Sequence, residues 1–306
     1  MSSKLSWCVV LCLVLSACNP PEPEQGANAS SDPGLAQSEQ LAQQAGAAKA
    51  VPVNAIKATS DQGFNQYYGF YVGGFEAEKI DHSKSPMYHN KINVSIDAIQ
   101  DGKINGHSVV AGNSRPFKGS ITRLDAVRFK VRAQEPGDDP YDGVFEFVLD
   151  GKQQKLIGKW VANDKKLAVS ERSYELRKTV FKYNPALELE EFMSEVYNPN
   201  VDSGDHKAEA ITPDAAKFNA STTLLTSKDV ENMYKRDLEI MRNAIYARHG
   251  YSFQNREMRY FFDAVDWYIP VSLDVTKQLT ELEQKNIALL KRYENHAASY
   301  YDRFGR

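Results

Sequence analysis

The sequence predicts an α+β multidomain protein: an antiparallel β-barrel or sandwich over residues 61–182, then a small three-helix domain over residues 220–306. Three observations predict it. Short alternating apolar and polar segments, separated by turn residues, fill the middle of the chain. Apolar residues recur at helical spacing beyond residue 230. A polar stretch with few bulky apolar residues precedes both. With 306 residues, 42% hydrophobic and 25% charged, the chain has material for more than one packed core.

Taken in chain order, residues 1–17 read as a secretory signal. Lys4 supplies the positive charge, Ser6 to Leu15 is a short apolar run, and small residues precede Cys18. The run is too short for a transmembrane helix. The sequence Leu15-Ser16-Ala17-Cys18 resembles the lipobox of bacterial lipoproteins. That resemblance implies cleavage before Cys18, lipidation with diacylglycerol and palmitate on Cys18, and attachment to the membrane through the lipid. Asn19 in place of Asp implies the outer membrane, with the protein facing the periplasm. Cys8 and Cys12 fall in the removed segment, so the mature folded parts would hold no disulfide. Residues 18–60 are rich in Pro, Ser, Gln, Ala and Gly and cannot bury enough surface to offset chain entropy. They read as a disordered tether with a reach of roughly 35 Å.

Residues 64–182 read as β. Tyr67 to Phe75 is aromatic and punctuated by glycine, and Ile92-Asn93-Val94-Ser95-Ile96 alternates with period two. Phe117, Gly119 and Ile121 share a face; Val127, Phe129 and Val131 oppose Arg128, Lys130 and Arg132; Phe145 and Phe147 oppose Glu146 and Val148. Asp101-Gly102 and Asp150-Gly151 are turn candidates. About eight strands at this spacing suit an up-and-down barrel or a sandwich. The opening Tyr-Tyr-Gly-Phe-Tyr and Gly158-Lys159-Trp160 resemble lipocalin-like barrels.

Residues 183–219 read as a linker with one short acidic helix, opened by Asn184-Pro185 and running to Tyr197. Beyond it, Val230, Met233, Leu238, Met241 and Ile245 mark a helix with a break near Tyr234. Gly250 is placed to stop that helix, with Arg248 and His249 in its last turn. A second helix covers about Asn255 to Val265. Thr280-Glu281-Leu282-Glu283 is a capping box that opens a third.

The stretch Arg242-Asn243-Ala244-Ile245-Tyr246-Ala247-Arg248-His249-Gly250 resembles the signature of the YARHG domain. Leu238, Phe253, Tyr260-Phe261, Trp267-Tyr268, Glu283, Asn286-Ile287 and Tyr293-Glu294 fit the same family. The resemblance covers about residues 220–294. It implies an exported setting and no particular activity.

Two readings of the signature stand side by side. In one, Arg242, Tyr246, Arg248, His249 and Trp267 form a recognition face, with arginine forks gripping carboxylate or phosphate. In the other they clamp loops: Asn243 and His249 hold backbone groups, and Arg242 pairs with Asp263 or Asp266. Asp263 and Asp266 could share acid and base roles, but their spacing suits a helix end and a cap better. His82, His89 and His107 lack the tight spacing of a metal site. Asp205-His206 invites a hydrolase reading, yet no Gly-x-Ser-x-Gly elbow accompanies it.

Net charge is −3 with no basic block, which excludes nucleic acid as a partner. The expectation is a lipid-anchored, non-enzymatic binding or interaction module without cofactor. Its partner would be peptidoglycan or an envelope protein. The alternatives are a carrier that holds a small apolar ligand in the barrel and an inhibitor or immunity protein.

Overall fold

The computed structural model describes residues 62–189 and 212–300. The signal, Cys18, the tether, the linker helix beyond Leu189 and Asp205-His206 lie outside the described residues. Eight antiparallel strands form a closed barrel in chain order: β1 Gly69–Ile80, β2 Lys91–Gln100, β3 Lys103–Val110, β4 Asn113–Arg123, β5 Arg128–Gln134, β6 Gly143–Asp150, β7 Lys155–Ala162 and β8 Val169–Thr179. The barrel closes where β1 pairs with β8, from Phe70 opposite Thr179 to Ile80 opposite Val169, with a bulge between Ala77 and Ile80.

Alternation positions the core. β5 is exposed and buried in strict turn, with Phe129, Val131 and Ala133 inside. The aromatics that would line a carrier's cavity instead fill the interior. Phe75 meets Trp160 at 5.7 Å, Phe117 meets Phe145 at 5.6 Å, and Tyr67 meets Phe129 at 5.3 Å between ring centroids. An eight-stranded barrel is just wide enough for side chains to fill. Residues 64–67, read from sequence as the start of the β region, are not strand. They belong to residues 62–67, which form a 3-10 turn that lays Tyr67 over one end of the barrel, its hydroxyl donating to Val127 O at 2.9 Å.

Two tight turns take left-handed backbone: Asp101-Gly102, with φ of 52° and 71°, and Ala111-Gly112, with φ of 53° and 73°. The first matches its sequence signal. The second places an alanine where side chains are disfavoured, and its glycine is pressed against the helical region. A Cβ on Gly112 would meet Gln254 Cγ at 2.0 Å. Asp150-Gly151 belongs to a four-residue turn, in which the Asp150 carboxylate accepts from the N–H groups of Lys152 and Gln153 at 2.8 Å each.

Four α-helices follow among the described residues: α1 Ser227–Val230, α2 Lys235–Arg248, α3 Arg256–Phe262 and α4 Glu281–Tyr300. The sequence break near Tyr234 is the boundary that separates the one-turn α1 from α2. α1 carries a capping box from Thr226 and Asp229, and α3 is capped by Asn255, whose side chain accepts from Glu257 N and Met258 N. Leu238, Met241, Ile245, Phe253, Phe261, Phe262 and Leu290 share one apolar core. Residues 212–219, read from sequence as linker, pack on this core instead. Pro213–Ala216 forms a 3-10 turn capped by Thr212, which donates to the buried Asp237 carboxylate through N (2.8 Å) and Oγ1 (2.6 Å).

Barrel and helices are joined by hydrogen bonds. Lys91 N donates to Asp263 Oδ2 at 2.9 Å and Lys91 Nζ to Val265 O at 2.6 Å. Asn93 Nδ2 donates to Pro270 O, Gly112 N to Ser252 Oγ, and Arg256 to the carbonyls of Ser85 and Pro86. β2 is therefore buried on both faces along much of its length. Asn93 and Ser95, which alternation alone sends to solvent, are 0% and 1% exposed.

Candidate functional site

The signature lies on α2, which ends at Gly250 in the left-handed region with φ 77°. A helix must shed its unpaired carbonyls there, and glycine takes that backbone without a Cβ penalty. The stop directs the residues before it into two separate places.

Arg242 and Tyr246 face α4. Arg242 grips Glu294 with both nitrogens of its fork, Nε at 2.6 Å and Nη2 at 3.0 Å. Its partner is thus Glu294, not Asp263 or Asp266, because a residue two turns before the stop points to α4 rather than to the end of α3. Tyr246 is half-buried, 6.0 Å from Tyr251 between ring centroids. Asn243 reaches back to Glu239 O and to Met258 Sδ, not to the following loop.

Arg248, His249 and Trp267 meet at the other place, against the segment that leaves β8. His249 is buried, and its Nε2 lies 2.8 Å from Glu283 Oε2. Tyr183 stacks on the imidazole at 4.1 Å and 11° and donates its hydroxyl to Glu283 Oε1 at 3.0 Å. Glu283 also takes Thr280 N and Oγ1, so the capping box read from sequence doubles as the anchor of the signature histidine. Burial alone would raise the Glu283 carboxyl. The hydrogen bonds from His249, Thr280 and Ser221 outweigh it and hold the group at about 2.

Arg248 is 3% exposed. Its Nε donates to Leu187 O at 2.7 Å, its Nη1 to Ser221 Oγ at 3.3 Å, and its guanidinium sits 5.8 Å from the Trp267 ring centre. Trp267 Nε1 donates to Glu188 O at 2.8 Å, and Asn219 Nδ2 holds the carbonyls of Pro185 and Leu187. With these carbonyls held by the helical region, residues 184–189 run as a turn and irregular chain. They are not the opening of the linker helix that Asn184-Pro185 suggested.

Between this segment and the end of α2 lies a cleft of about 540 Å³, with Phe181, Tyr183, Leu187, Arg248, Trp267 and Ile269 among its walls. The size falls in the range of small-molecule sites. Of the five residues singled out in the sequence, Arg248 and Trp267 line the cleft, His249 sits behind Tyr183, and Arg242 and Tyr246 belong elsewhere. Phe181, Tyr183 and Leu187 escaped sequence reading because they belong to the exit of the barrel and reach the site only through the fold.

The other constellations disperse. Asp263 is buried at the end of α3, accepts from Lys91 N, and is pushed up to about 6 by burial, while Asp266 is exposed. His89 lies 2.6 Å from Glu76, His107 lies 2.8 Å from Asp97, and His82 is 3.4 Å from the Tyr88 hydroxyl. Among the described residues, no three His, Cys, Asp or Glu side chains converge as a metal site would require. No described helix is long and apolar enough to cross a membrane.

A search of curated proteins finds no match. The family model described as the YARHG domain matches residues 215–295, about a quarter of the chain. That span takes in α1 to α4 up to Asn295 and the signature at the end of α2. Such domains are typical of extracellular or periplasmic proteins, and the C-terminal part of this chain, over residues 215–295, is a YARHG domain.

Proposed function

We propose that the protein is a lipid-anchored component of the cell envelope whose folded head is a non-enzymatic binding module. The partner is a cell-wall polymer or another envelope protein on the periplasmic side. The cleft carries this reading: it sets a buried signature arginine beneath aromatic walls, an arrangement suited to recognition. The lipobox-like Leu15-Ser16-Ala17-Cys18 and the polar stretch after it support anchoring at Cys18, with Asn19 favouring the outer membrane. The packed barrel interior counts against a carrier.

The test is co-sedimentation of the protein, freed of its signal and carrying Cys18→Ser, with purified sacculi at two salt concentrations. Saturable binding weakened by Trp267→Ala supports the reading. Absence of binding at low salt, together with no envelope protein recovered by in-cell crosslinking, refutes it. Metabolic labelling with palmitate, lost on Cys18→Ser, tests the anchor.

A further inference from the structure

Resting on that binding reading, we propose that the cleft beside Arg248 receives a terminal carboxylate, of the kind a short peptide carries. Arginines that lose much of their water in this fold take carboxylates or carbonyls in its place. Arg242 has the Glu294 carboxylate. Arg115 has Asp142 at 2.7 Å and also bonds Asp138. Arg172 lacks an acid but directs both terminal nitrogens to carbonyls, those of Phe75, Tyr88 and Met87.

Arg248 differs from all three. Its two hydrogen bonds go to neutral oxygens, Leu187 O and Ser221 Oγ. Its Nη2 bonds to no described residue, and the residue lines the cleft. The nearby acid Glu283 is already taken by His249, Tyr183 and Thr280. Burial is costly for a cation and pulls the Arg248 guanidinium down to about 10, although the Glu283 carboxylate, reached only through Ser221, opposes the effect. A ligand anion would supply a charge bonded directly to the guanidinium.

The walls narrow the chemistry. One guanidinium with one nitrogen to spare matches a monoanion. Exposed Lys182 adds a second positive charge among the lining residues. The rings of Phe181, Tyr183 and Trp267 suit the apolar body of a small ligand better than a hydrated dianion. A carboxylate at the end of a peptide meets both demands. A wall polymer bearing peptide stems would offer one.

The test titrates the unlipidated protein with N-acetyl-alanyl-alanine, in L and D forms, and with the matching C-terminal amides, read by calorimetry and by Trp267 fluorescence. Inorganic phosphate is run beside them. The expected result is saturable binding of at least one acid, with its amide and phosphate weaker by about tenfold or more. Arg248→Lys keeps the charge but loses the planar fork, and is expected to weaken the acid about tenfold with an unchanged circular dichroism spectrum. Because Arg248 also holds Leu187, the acid-against-amide contrast in the unaltered protein is the deciding measurement. Acid and amide bound alike, phosphate bound more tightly than either, or no binding up to about 10 mM overturns the carboxylate assignment. Sacculus binding that persists beside such a result leaves the binding reading intact, whereas loss of both removes both.

Discussion

Glu135 closes the end of the barrel opposite Tyr67 and should make stability fall as pH rises. It is 4% exposed and accepts from Gly143 N at 2.8 Å, Trp160 Nε1 at 3.0 Å and Ser108 Oγ at 3.1 Å. Burial outweighs these donors and lifts its carboxyl from 4.5 to about 7. The folded protein therefore keeps a proton that the unfolded chain has already released between those two values. The Glu135 contribution to stability is full below pH ~4.5 and declines until about 7. At about 1.4 kcal/mol per pH unit, the decline amounts to about 3 kcal/mol. Glu135→Gln removes the titration while keeping the geometry: the amide oxygen accepts from Gly143 and Trp160, and the amide nitrogen donates to Ser108. The assay is urea unfolding of both proteins at intervals from about pH 4.5 to 7.5. The stability difference, variant minus wild type, should grow by about 3 kcal/mol across that range. Asp237, Glu239 and Asp263, which burial also raises, titrate in both proteins and cancel. A difference that stays flat with pH, or shrinks as pH rises, refutes the reasoning.

Three further outcomes follow from the fold. Gly250→Ala should lower stability by more than about 1–2 kcal/mol, because φ is 77° and a Cβ would meet Val271 Cγ2 at 2.4 Å; an unchanged melting temperature would contradict the strain at the helix stop. Phe117→Ala, deep in the barrel, should cost about 3–5 kcal/mol in denaturant titration, and a loss under about 1 kcal/mol would mean that the interior is not packed as described. Gly112→Ala drives a Cβ into Gln254 at the joint between barrel and helices, so the calorimetric trace should split from one transition toward two; one unshifted transition would show that this contact does not couple them.

The parts legible in the sequence are those governed by neighbours along the chain. The alternation of Phe129, Val131 and Ala133, the turn at Asp101-Gly102, the stop at Gly250 and the capping box at Thr280 all declare themselves within a few residues. The parts that stayed hidden depend on what a residue meets across space. Asn93 and Ser95 alternate like solvent-facing positions, yet both are buried, and Asn93 is held by Pro270 O of the helical region. Ala111 takes a left-handed turn without the usual asparagine or aspartate, beside a glycine that docks on Ser252. At the cleft, the signature pointed to Arg248 and His249. It could not show that one signature arginine is paired with Glu294 while the other bonds only neutral oxygens, since that depends on where α4 and the barrel exit come to rest.

The barrel's closing pair has a consequence for how the chain reaches this state. Seven of the eight strand pairings join consecutive strands, across connections of two to ten residues. The eighth joins Phe70 to Thr179, roughly 110 residues apart, and its chain-entropy cost falls due only once the rest of the sheet is in place. Because residues 184–189 follow that seam directly and hold Arg248 through Leu187 O, the cleft cannot be complete until the seam has zipped. The chain would thus be without the Arg248 cleft until the barrel had closed, and a probe that reads the cleft would report the last step of folding rather than the first.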